Sequence, residues 1–247
     1  MDRHDFVSEQ LQFIVTNLPH LLLGYPNQRP GGLLLSLLMA VVAIGLGFVL
    51  GGIVGNVYTS RWRVLQWFCR IYVELLRGLP LLLLLLIVYQ VVGGRRFGLN
   101  LSPLAAAMIS LTLYSSAYQA EIIRAGLQSV PEDLRESARV LGSSPWQTYW
   151  LIRLRYALRV MLPALVGQAI SLFKDTSVVL IIGVADIMMV ARIALGSDVT
   201  NAPHWVPLYM TVGFLYFCVA FSLSQLARRW EKRLEIKQLV HSVDNYV

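Results

Sequence analysis

Lys174 and Asp175 stand side by side in Val160–Ala185, a stretch that carries no other charge. Ionisable groups in so apolar a setting are costly, and they face a water-filled cavity or a partner. Neighbours on a helix point about 100° apart, so the two do not readily pair with each other. Two readings follow. The pair lines a pathway and meets the charges of a zwitterionic solute, or each residue pairs with another helix and fixes packing. Ser115, Tyr118 and Gln119 add hydrogen-bonding groups in a second apolar run. They suit either a polar solute or helix packing. Glu74 and Arg77 are three apart on one helical face, where they can pair, and Glu121 and Arg124 repeat that spacing. Gly78 and Pro80 follow Arg77 and are placed to kink or interrupt its helix. For this group a structural anchor is favoured over a gate.

Other chemistries lack their residues. A phosphate-binding loop needs a lysine after a glycine. Lys174, Lys232 and Lys237 follow Phe173, Glu231 and Ile236 instead, so the chain is not expected to be an ATPase. His4, His20, His204 and His241 are scattered and have no metal-ligand spacing. Cys69 and Cys218 read as small apolar residues. No metal site and no catalytic Ser/His/Asp grouping is expected, which argues against a membrane-bound enzyme.

The elements that must position these residues are membrane helices. The chain has 247 residues, 56% of them hydrophobic and only 14% charged. An ordinary soluble domain is about 25% charged. Gly31–Ser60, Phe97–Ala120 and Val199–Ala227 carry no Asp, Glu, Lys or Arg. Each exceeds the roughly 20 residues that cross a bilayer as a helix. A fourth span runs from about Ile71 through the leucine run to Gly94, and Val160–Ala185 is the fifth. From Leu158 to Lys174 the helical rise is about 24 Å, which puts the Lys-Asp pair deep. Leu11–Leu23 is too short and mixed to span, and is expected as an interfacial helix.

The net charge of +7 is distributed unevenly. With the carboxyl terminus in the cytoplasm, Arg61, Arg63, Arg70 and Arg77 fall inside. So do six arginines from Arg124 to Arg159 and five basic residues from Arg228 to Lys237. Arg3, Arg29, Arg95, Arg96 and Arg192 fall outside. This bias sets the amino terminus out and the carboxyl terminus in. It accounts for the basic balance without nucleic acid.

Between the third and fourth spans, residues 124–158 form a cytoplasmic interruption. Ser129-Val130-Pro131-Glu132 has the pattern of a capping box with proline in the first turn. Gly142 stands where a helix-ending glycine belongs. Ser144-Pro145-Trp146-Gln147 repeats the capping pattern. The expectation is a short helix, a sharp turn and a second short helix through Trp150 and Leu154. A plain linker needs only a few residues. Two specified starts, one specified stop, and apolar residues such as Val140 and Trp146 favour a docking surface over a linker.

Glu136-Ser137-Ala138, then Gly142, then Ile152-Arg153-Leu154 resembles the Glu-Ala-Ala loop of ABC-importer permeases. Ser137 replaces the middle alanine, and Arg155 replaces a proline. Glu74-Leu75-Leu76-Arg77-Gly78-Leu79-Pro80, Tyr118-Gln119-Ala120-Glu121-Ile122-Ile123-Arg124 and Ser171-Leu172-Phe173-Lys174-Asp175-Thr176-Ser177 resemble segments of the polar amino acid branch, of histidine/glutamate/glutamine type. The resemblance implies an all-α type I ABC-importer transmembrane domain with about five transmembrane helices. It implies a permease subunit forming the pathway for amino acid uptake in the bacterial inner membrane. Partners would be ABC ATPase subunits binding ATP and Mg, a second permease subunit of the same or a different kind, and an extracytoplasmic amino-acid-binding protein. Glu136, Ser137, Ala138, Gly142, Trp146, Ile152 and Leu154 would couple to the ATPase. Lys174, Asp175, Thr176, Gln119, Tyr118 and Ser115 would line the pathway, with Glu74, Arg77, Gly78, Pro80 and Glu121 as structural or gate residues. The expected organisation is an amino-terminal segment 1–30, a permease domain 31–230 and a cytoplasmic tail 231–247. The competing class is a stand-alone secondary transporter or channel for a small polar solute. Five spans without an inverted repeat weigh against it.

Overall fold

The computed structural model of the protein describes residues 3–60, 62–94 and 99–244, with side chains over 8–229 apart from Gln28. Arg61, Arg95, Arg96 and Phe97, used above for charge asymmetry and for the start of a span, lie outside the described residues. Ten α-helices and short 3-10 and π stretches make up the described elements. They are α1 (Arg3–Leu23), α2 (Gly32–Tyr58), α3 (Arg63–Gly78), α4 (Leu81–Leu86), α5 (Pro103–Gln128), α6 (Glu132–Val140), α7 (Pro145–Gln147), α8 (Leu154–Asp175), α9 (Ile187–Gly196) and α10 (Trp205–Asp244).

Gly32–Tyr58, Pro145–Ile182 and Val199–Arg229 are each long and apolar enough to cross a membrane, and the broken pair Arg63–Gly78 and Leu81–Val92 makes a fourth if it is one span. The remaining expected span is α5. Its 26 residues reach about 39 Å. It is less apolar than the others because it carries Ser110, Thr112, Ser115, Ser116 and Gln119, all of them buried. Polar groups at membrane depth are tolerated where protein covers them. The break before α4 falls where Gly78 and Pro80 predict it. Leu79 is extended at φ −91 and ψ 135, the conformation a following proline favours.

The chain divides into two compact units, and α2, α5, α8 and α10 each contribute to both. The first unit comprises residues 1–43, 80–112 and 171–221. Here α1 is a 21-residue helix, longer than the Leu11–Leu23 segment expected. It is held by buried Leu21 and by Gln10, whose Oε1 lies 2.7 Å from His204 Nδ1. Phe13 stacks on the His204 ring at 4.5 Å. Gly32 opens α2 with φ +58, and a Cβ there would lie 2.3 Å from the Leu21 carbonyl oxygen. Only glycine fits that approach. Asp186 caps α9, its Oδ1 accepting from the Met189 N–H at 2.9 Å.

The second unit comprises residues 44–79, 113–170 and 222–247. Gly47, Gly51 and Gly55 recur every fourth residue along α2 and meet α5. A Cβ on Gly51 would lie 2.8 Å from the Ser116 carbonyl oxygen, and one on Gly55 at 2.8 Å from that of Ala120. Small residues at this spacing let two membrane helices touch through their backbones. The end of α5 packs on α8 through buried Ile123, Leu127, Val130, Ala157 and Met161.

Candidate functional site

The segment 129–154 carries three helix signals, two of them as expected and one not. The Ser129 capping box does not form. The Ser129 hydroxyl instead donates to the Gly126 carbonyl, closing the end of α5, and α6 starts after Pro131 with no side-chain cap. Serine readily bonds back to a carbonyl three or four residues earlier, and here that option wins. The stop is as expected. Gly142 has φ +76, its N–H donates to Arg139 O and the Ser143 N–H donates to Ala138 O, both at 3.0 Å. These two bonds define a Schellman turn. The second start also forms. Ser144 Oγ accepts from the Gln147 N–H at 3.2 Å and Gln147 Oε1 from the Ser144 N–H at 2.9 Å.

The second short helix does not stand alone. After α7 the backbone widens into a π turn over Thr148–Arg153 and continues directly into α8, giving one helix from Pro145 to Ile182. Arg155 keeps its backbone N–H in this run, and the same helix continues through Pro163 without ending. Ile152 and Leu154 are therefore half-buried residues on the run into the span rather than the end of a separate helix.

Side chains anchor this segment to its unit. The Tyr149 hydroxyl donates to Asn56 Oδ1 at the end of α2. Arg153 Nε donates to the Leu127 carbonyl at 3.3 Å near the end of α5. Ala138 is buried, while Glu136 and Ser137 are exposed on α6. The turn itself points away from the core: Val140 is 87% exposed, Leu141 84% and Trp146 71%. Trp146 packs edge-on against Trp150 at 5.3 Å. The result is an apolar knob on an ordered, anchored turn.

The intramembrane candidates fall into two groups, one in each unit. In the first unit Lys174 is exposed, Asp175 is half-buried at the end of α8, and Thr176 is buried with its hydroxyl donating to Phe173 O at 2.7 Å. No ion pair joins Lys174 to Asp175 among the described residues. In the second unit Ser115 and Gln119 are buried in a helix-packing network. Gln119 Nε2 donates to Ser115 Oγ at 2.7 Å and to the Ile44 carbonyl at 3.2 Å, and Gln168 Nε2 donates to Ser115 Oγ at 3.3 Å. Tyr118 is half-buried beneath the Arg77 guanidinium, 5.2 Å from its ring centre. Glu74 does not pair with Arg77 as its spacing predicts. It pairs with Arg70 at 3.4 Å, also on its own face, while Arg77 turns to the tyrosine. Glu121 and Arg124 form the expected pair, through bonds of 2.9 and 2.5 Å.

Sequence reasoning missed Asn56 and Gln168, which become visible only once helices are paired, and Asp186, the local cap of α9. The glycine stripe of α2 was readable from its four-residue spacing.

Residues 43–236 match the family of binding-protein-dependent transport system inner membrane components. The chain belongs to that family. Two relatives illustrate it. The glutamate/aspartate import permease protein GltK of Escherichia coli O6:H1 is 34% identical over 226 residues, covering 89% of this chain and 96% of its own. The probable glutamine ABC transporter permease protein GlnP of Bacillus subtilis is 37% identical over 202 residues, covering 82% and 91%. Among solved structures, an amino acid ABC transporter with histidines superposes with a TM-score of 0.75 at 28% identity, over 94% of this chain and 99% of that one. The MetNI methionine ABC transporter in an inward-facing form gives 0.61 at 22% identity, over 78% and 92%, a likeness of fold alone. The protein thus has the all-α transmembrane fold of a type I ABC importer, and it is a permease subunit of an inner-membrane, binding-protein-dependent system.

Proposed function

We propose that this permease forms the membrane pathway for amino acids in an ATP-driven importer, and that α6, the Gly142 turn and α7 receive the movement of a separate ATPase. The observation that carries this reading is the exposed apolar knob of Val140, Leu141 and Trp146 on a turn fixed at both ends. A passive linker needs neither the Schellman turn nor the capping box, and it gains nothing from exposing a tryptophan. Amino acids are favoured because the relatives above are permeases for glutamate, aspartate and glutamine. The ATP and Mg belong to the ATPase subunits, since this chain has no phosphate-binding lysine. A binding protein delivers the solute on the outer face, and a second permease subunit completes the pathway. Lys174, Asp175 and half-buried Tyr118 are the residues best placed to meet the solute. The buried Ser115 and Gln119 act by holding their helices. The basic bias sets the carboxyl terminus, and with it the Gly142 turn, in the cytoplasm.

The test is substrate-stimulated ATP hydrolysis by the reconstituted complex, with a parallel pull-down of the ATPase. Gly142→Val is expected to weaken ATPase retention, or to keep it while abolishing stimulation. Normal values in both assays would reduce the segment to a linker.

A further inference from the structure

A second cluster of charge lies in the same unit, where the start of α3 meets the ends of α2 and α5. Arg63, Gln66, Trp67 and Arg70 share one face of α3, and with Tyr58 of α2 and Arg124 of α5 they line an open cavity of about 440 Å³. Two of its three cations are already engaged. Arg124 is bonded to Glu121 and lies 5.3 Å from the centre of the Tyr58 ring. Arg70 pairs with Glu74 and donates through Nε to the Tyr58 hydroxyl at 3.4 Å. Arg63 is exposed and has no carboxylate partner among the described residues. Three guanidinium groups against two carboxylates leave the cavity positive. Guanidinium groups favour the planar, multi-point recognition of phosphate oxygens.

The surroundings indicate where such a phosphate would come from. Trp67 and Tyr58 are the aromatic types that sit at the headgroup level of a bilayer. Beside the arginine face, Val64, Phe68, Ile71 and Leu75 form a second, apolar stripe on α3 at helical spacing, and all four are exposed. A soluble phosphate has no use for that stripe, whereas a phospholipid would lay its acyl chains along it.

We propose that this cavity binds the phosphate headgroup of an anionic phospholipid, with Arg63 supplying the charge that selects it. The lipid would brace the start of α3 against the ends of α2 and α5, the two helices to which Tyr149 and Arg153 tie the Gly142 turn.

The experiment is native mass spectrometry of the detergent-purified permease–ATPase complex. It is titrated with phosphatidylglycerol, with phosphatidylcholine, and with phosphatidylglycerol in the presence of excess inorganic phosphate. Each basic residue near a bilayer surface contributes about fivefold to anionic-lipid affinity. Arg63→Gln should therefore weaken phosphatidylglycerol binding about fivefold, and Arg63→Gln with Arg70→Gln by about 25-fold. Arg228→Gln with Arg229→Gln, which removes two exposed charges elsewhere, should leave tight binding unchanged. Equal binding of the two lipids, or an equal loss in the Arg228/Arg229 variant, would overturn the proposal in favour of diffuse charge. Displacement of the lipid by inorganic phosphate would overturn it in favour of a soluble anion. No bound lipid in the assembled complex would assign the surface to a neighbouring subunit instead.

Discussion

Gly142 shows how much one residue can carry. Its φ of +76 is open to glycine and strained for a branched side chain, yet a Cβ there would meet nothing within 4 Å. The cost of Gly142→Val is thus backbone strain alone, on the order of 1–3 kcal/mol. Asparagine tolerates the left-handed conformation better than other non-glycine residues. Gly142→Asn should therefore keep most of the substrate-stimulated ATP hydrolysis that Gly142→Val loses, measured side by side in proteoliposomes. Equal loss in both would point to the side chain's bulk at a docking face rather than to the turn. Asp175 makes a different prediction. It is half-buried, and no described residue forms an ion pair with it. Removing it strands no counter-charge, so Asp175→Ala should assemble normally and lower uptake at least tenfold, a loss near the 1.4 kcal/mol that one factor of ten represents. Failure to accumulate in the membrane would make the residue structural. At this scale the sequence was informative where a rule is local. The turn glycine, the Ser144 cap and the Glu121–Arg124 pair follow from spacing alone. The Glu74 partner did not, because Arg70 and Arg77 both lie within reach of it on α3, and a tyrosine on α5 took the second.

At the scale of elements, a stripe of glycines decides how closely α2 and α5 approach. Gly51 faces the α5 backbone, where a Cβ would lie 2.8 Å from a carbonyl oxygen that cannot swing aside. Gly51→Leu should force the helices apart and break the network of Ser115, Gln119 and Gln168. The expected outcome is a variant with strongly reduced yield of assembled complex on size exclusion. Gly45→Leu, with open space at its Cβ, should assemble as the parent does. Similar behaviour of the two variants would deny the stripe its packing role. The helices themselves were legible as long uncharged runs. Their internal joints were less so. Pro80 announced the break before α4, but the fusion of α7 with α8 has no such marker, and Pro163 inside α8 ends nothing. The failed Ser129 cap reflects a competition between two hydrogen bonds available to one hydroxyl, which sequence alone does not rank.

At the scale of the molecule, the basic bias predicts which ends face the cytoplasm. A cysteine at Ser143 should react only with membrane-permeant reagents, and one at Asn201 with impermeant ones. The reverse pattern would invert the topology and place the Gly142 turn outside. Architecture was the most legible level of all, since hydropathy and charge bias act over whole segments, while pairings such as Tyr149 with Asn56 need distant residues to meet. The central claim, that the exposed knob at Val140, Leu141 and Trp146 receives a separate ATPase, has one most direct test. Cys69 and Cys218, the two native cysteines, are first replaced by alanine. Val140→Cys is then introduced, and the assembled complex is treated with a short bismaleimide. A permease–ATPase product is expected from Val140→Cys and not from an Asn201→Cys control. A complex that hydrolyses ATP on substrate addition but gives no such product from position 140 would contradict the account.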